Sequence, residues 1–123
     1  MLRLGALLLV GLSTIAQADE VAPLERQKID YLINSIATLG DAKFVRNGTA
    51  YDAKAAADHL RLKLKNAGSR VRTAEDFIHL CASVSSVSGV PYQIRFSDGR
   101  IVTSEVYLRQ QLLEFPNHQG KGV

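Results

Sequence analysis

The stretch TAEDFIHLCASVSSVSGVPYQIRF, Thr73 to Phe96, constrains the fold more than any other part of the chain. It reads as a helix with both ends marked that passes at once into the first strand of a hairpin. Thr73 is an N-cap residue with Asp76 three positions on as its capping-box partner, and Gly89 and Pro91 close the far end. Within it Ala74, Phe77, Ile78, Cys81 and Val84 recur at spacings of three and four, a stripe that must be covered. The small hydroxyl residues Ser83, Ser85, Ser86 and Ser88 crowd its second half. After Gly89, Tyr92, Ile94 and Phe96 alternate with Gln93, Arg95 and Ser97, which is strand periodicity. Asp98-Gly99 is a two-residue hairpin signal. Pairing across it sets Phe96 opposite Ile101, Arg95 opposite Val102 and Ile94 opposite Thr103. Tyr92, Ile94, Phe96, Ile101 and Thr103 then share the face that helices cover.

Three further helices are available to cover it. The first runs from Glu20 to about Leu39, with Ile29, Leu32, Ile33, Ile36 and Leu39 as its buried stripe and Gly40 as its stop. The second runs from Asp52 to Ala67, capped by Asp52 and stopped by Gly68. Its alanines admit a close neighbour, and His59 and Lys63 lie one turn apart on one side of it. The last runs from Ser104 to Phe115 and ends at Pro116. It is apolar on two sides, so it is either sandwiched or used by a partner, a homodimer through this helix being one form of that use. Lys43 to Arg46 reads as a short strand followed by an Asn47-Gly48 turn. The expectation is an α+β fold, a small single domain of about four helices packed with one β-hairpin, with that short segment as a third strand.

The first residues, MLRLGALLLVGLSTIAQA, have the build of a secretory signal peptide. Arg3 is the positive start, Leu4 to Ile15 the apolar run, and Ala16-Gln17-Ala18 the cleavage site. The run is shorter than the roughly 20 residues of a spanning helix, and Asp19 and Glu20 follow directly. Residues 1–18 are therefore expected to be removed, leaving 19–123 as one globular domain with a polar tail from about 116. The location expected is periplasmic or secreted, with no membrane anchor after cleavage. Without Arg3 the 15 basic residues become 14 against 12 acidic ones, a charge of +2. They are interspersed, which speaks against a nucleic-acid groove and a polybasic membrane patch. The single cysteine, Cys81, forbids an internal disulfide and reads as a buried small hydrophobe.

Little in the sequence carries chemistry. His59, His79 and His118 are scattered and have no metal-ligand spacing, so neither metal nor cofactor is expected. A hydrolase using a serine of the Ser83–Ser88 cluster with His59 as base is the enzyme alternative. The chain lacks both a G-x-S-x-G elbow and an S-x-x-K pair beyond the leader. The residues favour a non-enzymatic binding or interaction module instead, acting on an envelope partner or a small anionic ligand. Its candidate binding groups are Arg46, Asn47, His59, Lys63, Ser86, Ser88 and Tyr92. If the Asn47 turn packs beside the start of the hairpin, they line one basic, hydroxyl-rich recess suited to a carboxylate, phosphate or sugar.

The segments FVRNGTAYDAKAAADHLRLKL and RVRTAEDFIHLCASVSSVSGVPYQIRFSDG resemble the YfeK-like family of small exported bacterial proteins, a domain of unknown function. The resemblance runs from about Glu25 to Leu113. It implies a bacterial exported protein and brings no reaction.

Overall fold

The computed structural model describes residues 21–116; the expected leader and most of the polar tail, His118 included, lie outside them. The helices are α1 (Pro23–Ala37), α2 (Ala53–Ala67), α3 (Ala74–Cys81) and α4 (Ser104–Leu113). The strands are β1 (Lys43–Arg46), β2 (Thr49–Tyr51), β3 (Gln93–Arg95) and β4 (Ile101–Thr103), in one antiparallel sheet of order β2-β1-β3-β4. The α+β expectation holds, and the third strand is present. The fourth, β2, is added by a tight turn. Asn47 and Gly48 have φ of 51° and 79°, so both central residues are left-handed and the turn returns β1 directly onto Thr49–Tyr51.

Local signals set the helix starts. The Asp52 carboxylate accepts from Ala55 N at 2.8 Å, Thr73 Oγ1 from Asp76 N at 3.0 Å, and Thr103 Oγ1 from Val106 N at 3.2 Å. Glu25 reaches across from α1 to accept from Ala74 N at 2.8 Å. That backbone bond holds its carboxyl below the usual range. In α1 the buried residues are Ile29, Leu32, Ile33 and Ile36, four of the five in the expected stripe; Leu39, the fifth, lies past the end of the helix and is half-buried. Ala56, Ala57 and Leu60 of α2 pack against α1 at close quarters. Phe44 and Ile94, directly paired across β1 and β3, turn to the same core, where Phe77, Ile78, Val71 and Leu108 meet them. Cys81 is in it too, a free thiol with 1% exposure, its pKa pushed up by burial.

Two expectations are corrected. The central helix does not run to Gly89; it ends at Cys81, with Ala82 as C-cap at φ −125°. Ser83 Oγ donates to Ile78 O at 2.7 Å, and Ser85 Oγ accepts from Val87 N and Ser88 N. Serines offered such local backbone partners compete with the helix and stop it. Residues 83–91 form instead a loop closed by Ser85 N to Val90 O, Gly89 N to Ser85 O and Tyr92 N to Ser83 O.

The hairpin register also differs by one residue. Ile94 faces Val102 and Arg95 faces Ile101, while Phe96 N donates to Arg100 O at 2.8 Å. Gly99, at φ +94°, sits in a three-residue connection, Ser97 to Gly99, rather than a two-residue one. Because side chains alternate, the slip turns β4 over. Ile101 is exposed and Val102 is the residue packed on the core. Thr103, expected on the covered strand face, caps α4. On α4 Leu108 is buried, whereas Val106 and Leu113 are exposed, so among the described residues that side of the helix is left uncovered.

Candidate functional site

Tyr92 is where the central stretch, β1 and α2 converge. Its ring is 1% exposed, 5.2 Å from the Phe44 ring, and its hydroxyl emerges against the side of α2 that carries His59 and Lys63. Lys63 Nζ donates to that hydroxyl at 3.1 Å and to Val84 O at 3.3 Å. His59 Nε2 lies 3.3 Å from the same oxygen, its ring edge-on to Tyr92. Their spacing of four along α2 is what stacks the two side chains over one phenol.

The other wall comes from the Asn47-Gly48 turn and the serine loop. Held left-handed, Asn47 presents its amide to both ends of that loop. Its Nδ2 donates to Ser85 Oγ at 3.1 Å and its Oδ1 accepts from Ser88 Oγ at 2.5 Å. Arg46, one residue earlier, donates to Tyr51 OH at 3.1 Å and lies over the Tyr51 ring.

Between these walls is a cavity of about 280 Å³. Arg46, His59, Lys63, Ser86 and Tyr92, all among the sequence candidates, line it; Asn47 and Ser88 stand behind as the clamp on its loop. Among the lining residues that the binding candidates did not include are Arg70 and Ser85. Arg70 sat in a connection with no periodic context, and is brought in by the 3₁₀ turn Gly68–Arg70 after α2. Ser85 looked helical and is a loop anchor, 2% exposed.

The charge balance of the cavity is one-sided. Arg46, Lys63 and Arg70 line it and no carboxylate does. The ion pairs among the described residues use Lys28, Lys54, Arg61, Arg100 and Arg109 instead. The three lining cations donate to uncharged oxygens, of Tyr51, Tyr92, Val84 and Ala67. His59 responds to this field: burial first, then Arg46 and Lys63, lowers its pKa and keeps it neutral at pH 7.

For the serine-hydrolase alternative, a Ser–His pair is the requirement. His59 Nε2 meets Tyr92 rather than a serine, and Ser83, Ser85 and Ser88 are committed to Ile78 O, backbone amides and Asn47. His79 is exposed and apart from the recess. A larger cavity of about 670 Å³ lies between the start of α1 and the end of α2, walled by Ile29, Leu64 and Val71. Val21, the first described residue, is part of its lining.

Comparison with known proteins agrees with the resemblance read from the sequence. The uncharacterized protein YfeK of Salmonella typhimurium is 47% identical over 68 residues, which cover 55% of this chain and 57% of that protein. The chain thus spans little more than half the length of that curated relative. No solved structure matches. Residues 23–116 match the "Family of unknown function (DUF5329)", nearly the whole of the described fold. The chain belongs to that family of unknown function.

Proposed function

We propose that this is an exported, non-enzymatic binding protein of the bacterial envelope, and that the recess around Tyr92 holds a small anionic ligand. The observation that carries the reading is the set of cations without counter-charge: Arg46, Lys63 and Arg70 around one cavity with no carboxylate in its lining. Cations held together without a counter-ion repel one another, and an anion placed among them relieves that cost while gaining charge-assisted hydrogen bonds. Tyr92 and Ser86 supply neutral groups to orient it, in the usual make-up of a small-ligand site. Export rests on the leader-like residues 1–18. The exposed Val106 and Leu113 side of α4 is the surface left for a second copy.

The test is titration with inorganic phosphate, followed through the imidazole NMR signals of His59. A bound anion offsets the field of Arg46 and Lys63, so the His59 pKa should move up toward its ordinary value. Arg46→Gln with Lys63→Gln should remove the response to phosphate. A parent protein whose His59 signals ignore millimolar phosphate would dispose of the anion site.

A further inference from the structure

A small soluble anion accounts for the cations of the recess but not for its rim. Leu62, Leu80 and Val87 line the same cavity and are 54%, 37% and 90% exposed. Single exposed apolar residues are ordinary; three beside a cluster of unpaired cations are not. Val87 stands at the outer turn of the serine loop, and the loop is braced beneath it. Its own N–H donates to Ser85 Oγ, Gly89 N to Ser85 O, and the Asn47 amide ties Ser85 and Ser88 to the β1–β2 turn. Val84, 40% exposed, continues the apolar side of that loop, and its carbonyl accepts from Lys63.

We infer that this rim and recess together form a docking surface for an anionic phospholipid bilayer, with Val87 entering the acyl boundary and a lipid phosphate seated among Arg46, Lys63 and Arg70. The inference rests on the anion-binding reading of the recess and assigns the anion to a membrane surface. Charge complementarity and placement carry it. A bilayer presents phosphates in a plane just above hydrocarbon, and here cations lie beside a protruding valine on a braced loop. A recess of about 280 Å³ takes a headgroup, while apolar side chains that project from the rim lie outside any ligand enclosed in it. Among the described residues no helix is long and apolar enough to cross a membrane.

The test mixes protein purified from the envelope fraction of an exporting bacterium with vesicles, which are then sedimented. At low salt the protein should pellet with vesicles of phosphatidylcholine plus phosphatidylglycerol and stay in solution with phosphatidylcholine alone. Val87→Asp alters an exposed side chain and should weaken vesicle binding about tenfold, the worth of one buried valine. Lys63→Gln with Arg70→Gln should weaken it about thirtyfold, as expected for two cations near an anionic surface. The Val87→Asp protein should keep the parent's far-UV circular dichroism and urea midpoint, which reports that the fold is intact. Binding of Val87→Asp as tight as the parent's overturns the docking surface. If phosphate moves His59 but phosphatidylglycerol vesicles leave the parent in solution, the membrane surface alone is overturned. If neither binds, the anion recess falls with it.

Discussion

His59 shows how one side chain reports on its surroundings. Lys63 donates to the Tyr92 oxygen, and a neutral His59 with its proton on Nδ1 can accept the phenol proton at Nε2, 3.3 Å away. Protonating Nε2 would turn an acceptor into a donor facing that phenol, with Arg46 and Lys63 close by. The folded pKa therefore lies below the unfolded value of about 6.5. As pH falls, the unfolded chain takes up this proton first. The stability linked to neutral His59 is complete above about 6.5, declines as pH drops toward the folded pKa, and levels off beneath it. Urea midpoints measured from about pH 7.5 to 5.5 should fall with pH in the parent and fall less in His59→Gln. The lowered carboxyls of Glu25, Asp58 and Asp98 titrate below that window. Equal slopes for parent and variant would show that His59 is not held neutral.

At the scale of elements, turns decide more than strands. The β1–β2 turn supplies the fourth strand and also sets the Asn47 amide against the serine loop. A Cβ on Gly48 would meet nothing within 4 Å, so any cost of Gly48→Ala is conformational, from holding alanine at φ +79°. That cost is about 1–2 kcal/mol, and chemical denaturation should show it. A variant as stable as the parent would mean the turn relaxes to another type without loss. The β3–β4 connection makes the complementary point. Asp98-Gly99 marks a hairpin correctly, but the same dipeptide serves a two-residue and a three-residue loop. With the longer connection, Phe96 lies near Tyr107 and under Arg100, and Ile101 faces outward.

For the molecule as a whole, folding rearranges a modest charge. The formal excess is spread along the sequence, yet three of its cations meet around Tyr92 from β1, α2 and the turn after α2. Nothing in their spacing of 17 and 7 positions marks them as neighbours. The leader-like segment gives a separate expectation: N-terminal sequencing of protein from the envelope of an exporting bacterium should begin at Asp19. Recovery of chains that begin at Met1 would make the segment an anchor and place the recess on a tethered protein.

The sequence alone determined the parts whose physics is local. Apolar spacing fixed the buried side of α1, and Asp52 and Thr73 fixed where α2 and α3 begin, because a cap needs only the next three amides. The positions of His59 and Lys63 on one side of α2 followed from the helical repeat. Tertiary structure decided the rest. Where α3 stops depended on whether Ser83 and Ser85 bond back locally or continue the helix, and their partners in the finished fold settle that. The hairpin register depended on which β4 residue the core accepts, a choice made by Ile94 and the helices behind it. Arg70 joined the recess only through the turn at Gly68, and Ser85 became an anchor only because Asn47, 38 positions earlier, arrives beside it. Contacts between residues so far apart depend on the whole chain's packing, which no window of sequence contains.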